Sequence, residues 1–137
     1  MSELQKTLGQ STVTLQIGET AYKLAPFTIE DYGNFENWLQ ENAWSAVRRA
    51  YVLKWITPEE FDRHSQNCIR LIASEKLSYG SDAYGEASMS YRGMEKLLAI
   101  ALAKTHPNVS EKQIHEFVHN QTKEVAKALH ENDEVSQ

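Results

Sequence analysis

From Thr28 to Leu129 the apolar residues return at steps of three and four in one segment after another. Side chains so spaced share one face of a helix, so most of this chain can bury them only by packing helices together. Tyr32, Phe35, Trp38 and Leu39 form the first stripe. After a break expected at Asn42, Ala43, Ala46, Val47, Ala50 and Leu53 form a second, with Arg48, Arg49 and Lys54 turned elsewhere and Trp44, Tyr51 and Trp55 widening the apolar arc. Phe61, Ser65, Cys68, Ile69 and Ile72 make a third. A fourth helix, from about Ala83 to His106, carries Ala87, Tyr91, Met94, Leu98 and Ala101. A last one, with Ile114, Phe117, Val118, Gln121, Val125, Ala128 and Leu129 inward, is expected to end near Glu131.

Local chemistry marks several of the boundaries. Thr57, Pro58 and Glu60 place a capping threonine, a first-turn proline and a capping-box glutamate in order, so the third helix begins at Pro58. Ser110 with Gln113 repeats the capping box after Pro107, which ends the fourth helix by pushing the preceding residue out of the α region. Thr28, ahead of Glu30 and Asp31, caps the first. Upstream, Val13, Leu15 and Ile17 alternate with polar residues, and Tyr22 and Leu24 resume the alternation beyond Gly18 and Glu19. This predicts a β-hairpin whose Gly18 supplies the positive φ of a type II′ turn. A lone hairpin is marginal in water, so it must pack on the helices that follow. The expected fold is therefore mainly α: an N-terminal β-hairpin followed by a compact bundle of about five helices. One domain is expected over residues 12–131, with flexible ends at 1–11 and 132–137.

Composition narrows the function classes. Fourteen basic against nineteen acidic residues give a net charge of −5, which opposes non-specific attraction to nucleic acid or an anionic membrane. The polar start MSELQKTLGQST lacks the apolar core of a signal peptide, and no run of apolar residues is long enough to span a bilayer. The single Cys68 has no disulfide partner within the chain and falls on an apolar stripe, which reads as a core thiol in a reducing compartment. His64, one turn before it, invites comparison with a Cys–His dyad, but no third orienting group accompanies the pair. Glycine-rich phosphate loops and the GxSxG elbow are absent from the sequence.

Residues 115–119 read HEFVH, the HExxH pattern in which His115 and His119 would bind zinc from one helix face and Glu116 would act as general base. The third ligand is hard to find. Thr122 and Val125 stand where a metzincin needs glycine and histidine, and Glu131 and Glu134 are too close to the motif to close a site. The motif therefore reads as two solvated surface histidines, able at most to hold a transition metal weakly as an i, i+4 pair. No catalytic residue, cofactor or metal is expected, and a small zinc hydrolase built on this segment is kept as the alternative. For contacts with another protein the candidates are Trp44, Trp55, Tyr79 and Tyr84, aromatic residues at helix edges or in the glycine-bearing loop, and the basic Arg48 and Arg49.

Two longer segments carry a resemblance. LQIGETAYKLAPFTIEDYGNFENWL joins a short strand pair, a proline-marked exit and an amphipathic helix, and YRGMEKLLAIALAKTHPNVSEKQIHEFV joins an apolar helix, a His-Pro break and a capped helix. In these the chain resembles the tail assembly chaperones of lambda-like long-tailed bacteriophages and prophages, and the resemblance covers most of residues 12–129. It implies a non-enzymatic role in the cytoplasm of the host bacterium: binding the long helical tape measure protein, keeping it soluble, and helping tail tube protein assemble around it, with the chaperone absent from the mature virion. A homo-oligomer is compatible with it, and a longer frameshifted form would extend the polar end HENDEVSQ. The remaining alternative is another helical protein-interaction module.

Overall fold

The computed structural model describes residues 12–137, so the flexible end expected over 1–11 lies outside the described residues. The chain is mainly helical with an N-terminal hairpin, as expected. Strands β1 (Val13–Ile17) and β2 (Thr20–Leu24) are followed by α1 (Ile29–Val52), α2 (Pro58–Ala73), α3 (Asp82–Met89), α4 (Tyr91–Ala103), α5 (Glu111–Asn120) and α6 (Thr122–Ser136). Where one domain was expected, these elements group into two compact units, residues 12–31 with 88–137 and residues 32–87.

In the first unit the hairpin pairs antiparallel with Val13 opposite Leu24 and Ile17 opposite Thr20, and Gly18 takes φ +61° in the two-residue loop while Glu19 does not go positive. Val13, Leu15 and Leu24 are buried, so the alternation read from the sequence points one face of the ribbon at the helices. The free edge of β2 is tied to the end of α4. The Lys23 amide donates to His106 Nε2 at 3.0 Å, and the Thr105 hydroxyl donates to the Lys23 carbonyl at 2.6 Å. The Ala25 amide donates to the Ala101 carbonyl at 2.9 Å. Three polar links thus do what the ribbon cannot do for itself.

The end of α6 holds the chain just after β2. Asn132 is fully buried and donates from Nδ2 to the Ala25 carbonyl at 3.0 Å, while the Phe27 amide donates to Ser136 Oγ at 2.8 Å. The residues expected to form a flexible end at 132–137 are helical through Ser136 for this reason. Their polarity reflects hydrogen-bond partners inside the unit rather than a lack of packing.

Residues 32–87 form the second unit around aromatic rings. Phe35 is fully buried, with Trp38 at 5.1 Å and Tyr84 at 4.9 Å between ring centroids, and Tyr79 stands 5.3 Å from Tyr84. Tyr51 stacks on Phe61 at 4.4 Å, and Cys68 is buried, as its place on the apolar stripe predicts.

Helix boundaries agree with the sequence where a cap declares them. Thr28 and Asp31 bond reciprocally at the start of α1, and Ser110 and Gln113 do so at α5. At α2 the Thr57 amide donates to Glu60 Oε1 at 3.0 Å, and the Glu60 amide donates to the Thr57 hydroxyl at 3.1 Å. The bond from the Thr57 amide, and after it the bond from the Thr57 side chain, hold the Glu60 carboxyl below its ordinary pKa. A lowered folded value means that ionised Glu60 stabilises the helix start above the unfolded pKa and that this is lost as pH falls through the folded one. An NMR titration should place the Glu60 midpoint below the ordinary value for a glutamate. Thr57→Ala should raise it only part-way, because the backbone donor remains.

Three boundaries differ. No break occurs at Asn42, and α1 runs continuously through it to a Schellman turn in which Lys54 takes φ +61° and the Trp55 amide reaches the Ala50 carbonyl at 2.8 Å. The helix expected over 83–106 is two, because the Ser90 hydroxyl accepts from the Gly93 amide at 3.0 Å and restarts the chain as α4. The last helix divides at Gln121, where φ −126° and ψ 43° leave the α region and the Thr122 hydroxyl takes the Val118 carbonyl at 2.7 Å.

Candidate functional site

The HEFVH segment lies on α5, with Ile114 and Val118 buried against the first unit's core and His115 and His119 one turn apart on an outer face. Helix α4 packs beside α5 and buries Met94, Leu97, Leu98, Ala101 and Leu102. That stripe leaves Glu95 at its border, with its side chain 26% exposed, directed at the two histidines. Glu95 Oε1 lies 2.5 Å from His115 Nδ1 and 3.2 Å from His119 Nε2. The imidazole rings sit 4.1 Å apart, and the Tyr91 ring is 4.7 Å from that of His119.

A carboxylate can only accept, so each facing histidine nitrogen carries a proton when both bonds are made. Three side chains able to ligate a metal therefore converge from two helices, with one donor atom from each within 4.8 Å of the others. They are the only group of three or more such side chains among the described residues. Glu116, the general base of the zinc-hydrolase alternative, is exposed and lies about 60° further round the helix than His119.

The reading of the histidines as lacking a third group is thus corrected by Glu95, which precedes the motif instead of following it. A signal for it exists in the sequence. Glu95 lies twelve residues before Pro107 and His119 twelve after it, and residues equally distant from the turn of a helical hairpin face one another.

The aromatic and basic candidates separate by burial, all within the second unit. Tyr84 is buried and donates its hydroxyl to the Tyr32 carbonyl at 3.4 Å, so it is a core residue and not a contact surface. Trp44 is half-buried with Phe61 at 6.2 Å, and Tyr79, although exposed, packs its ring on Tyr32 at 4.7 Å. Trp55, 69% exposed, projects from the Schellman turn, and Val52, at 71%, precedes it. Ser45, Arg48, Arg49, Val52 and Leu53 line one shallow, open face of about 310 Å³ along the end of α1. None of the ion pairs among the described residues involves either arginine. No helix is long and apolar enough to cross a membrane among those residues.

No family model, curated protein or solved structure matches this chain.

Proposed function

We propose that this chain is a non-enzymatic tail assembly chaperone of a lambda-like long-tailed phage or prophage, which holds the tape measure protein in the host cytoplasm until tail tube protein assembles around it. The observation that carries this reading is the end of α1, where Val52 and Leu53 stay exposed beside Arg48 and Arg49 and Trp55 is exposed on the turn that follows. Isolated exposed apolar residues are ordinary, but several together beside cationic groups make a contact surface. Such a surface suits an amphipathic helix with an apolar stripe flanked by carboxylates, which a long helical partner presents repeatedly. The fold adds the hairpin-then-helices order that the sequence resemblance implies.

The test is co-expression with the long helical protein encoded beside this chain. The partner should become soluble and co-purify with wild-type protein. Val52→Asp combined with Trp55→Ser should abolish co-purification while leaving Tm nearly unchanged, because exposed substitutions alter stability by about 0.5 kcal/mol or less. Raised salt should weaken binding through the arginines. A partner that stays insoluble, or binds the double variant as well as wild type, refutes the reading.

A further inference from the structure

We propose that Glu95, His115 and His119 form a binding site for one transition-metal dication, with zinc the ion it suits best. Two imidazole nitrogens and one carboxylate oxygen are a donor set that zinc accepts, with open coordination completed by water. Metal–ligand lengths of about 2.0–2.1 Å put the donors of a tetrahedral zinc roughly 3.3 Å apart. The His119 Nε2 to Glu95 Oε1 separation is already 3.2 Å, His115 Nδ1 at 2.5 Å from Glu95 must draw back, and the two histidine donors lie within 4.8 Å of each other, so side-chain rotation closes the site around an ion. The His115 side chain is 61% exposed and that of His119 38% exposed, so an ion reaches the site without opening the fold and the remaining positions face solvent.

Binding needs one change of protonation. The proton on each facing nitrogen must leave, crossing through water to the other nitrogen of the same ring, and the freed lone pair then goes to the metal. The ion thereby exchanges two hydrogen bonds for three coordinate bonds. Backbone packing supplies the preorganisation: α5 sets the histidine spacing, and α4 brings Glu95 to it across the Pro107 connection. The bound ion would pin α4 to α5. This site lies in the unit other than that of the α1 face, and it stands whether or not the chain is a chaperone.

The decisive comparison is calorimetric titration of untagged full-length protein with zinc chloride, for wild type and for Glu95→Gln, His115→Ala, His119→Ala and Glu116→Gln. One zinc per chain is expected, with Tm rising by several degrees when zinc is in excess over Kd. Each histidine substitution should abolish stoichiometric binding, Glu95→Gln should weaken it at least about tenfold, and Glu116→Gln should leave it as in wild type. Melting the metal-free variants checks that each remains folded. Absence of zinc binding by folded wild type overturns the proposal. So does full binding by Glu95→Gln, which reduces the site to a surface histidine pair, and so does loss of binding in Glu116→Gln.

Discussion

Leu98→Ala should lower the unfolding free energy of the first unit by about 3 kcal/mol. Leu98 is fully buried on α4, the helix that packs against α5, α6 and β2 together. Truncation there removes the transfer energy of three carbons and leaves a cavity bordered by several elements, which cannot all close in at once. A loss of that size is a large fraction of a domain's typical stability of about 5–15 kcal/mol. Urea unfolding followed by far-UV circular dichroism measures it, and hydrogen exchange on the α4 amides locates it. Leu98→Met, which conserves volume, should cost less than about 1.5 kcal/mol. If Leu98→Ala cost no more than Leu98→Met, the assignment of α4 as the centre of this unit would be wrong.

That centre was legible in the sequence, because Met94, Leu98 and Ala101 declare their shared face by spacing alone. So were the starts of α2 and α5, where capping side chain, proline or glutamine fall within four residues of one another. Boundaries set by a single hydroxyl were harder to read. Ser90 caps α4 with glycine at the position where a capping box would show glutamate, and Thr122 ends α5 by competing for a carbonyl that the helix would otherwise use. Asn42 misled in the opposite direction: an asparagine able to cap is tolerated inside α1 when nothing else stops the helix.

The candidate sites divide in the same manner. HEFVH announces two candidate ligands through local spacing, but Glu95 lies beside them only because two helices fold back about Pro107, a tertiary fact that a motif does not encode. Polarity misled at the C-terminal end, since Asn132 and Ser136 look like solvated residues until Ala25 and Phe27 are seen to need their hydrogen bonds. Tyr84 misled because its glycine-rich neighbourhood suggested a surface loop, whereas α3 turns its ring onto Phe35. Trp55 stays exposed because α1 ends at Val52 and the Schellman turn that follows carries Trp55 beyond the helix, while Arg48 and Arg49 line the open face at the helix end with Val52 and Leu53.

Phe35→Ala should cost the second unit about 4 kcal/mol. The ring is fully buried and meets both Trp38 and Tyr84, so its loss removes apolar burial and two aromatic contacts whose geometry adds about 0.5–1.5 kcal/mol each beyond area. Phe35→Leu keeps most of the burial and removes both ring contacts, so its own cost relative to wild type isolates the aromatic share, and the further cost of Phe35→Ala measures the burial. Trp38, Trp44 and Trp55, the three tryptophans of the chain, all lie in this unit, which makes fluorescence-detected unfolding its specific reporter. A drop below about 2 kcal/mol would mean that the ring cluster does not organise residues 32–87. The result also bears on holding a partner. Phe35 is nowhere exposed, so Phe35→Ala can impair co-purification only by depopulating the folded unit, and lowering the temperature to restore folding should restore capture. Val52→Asp with Trp55→Ser would remove the proposed contact itself, and no temperature that leaves the protein folded should rescue it.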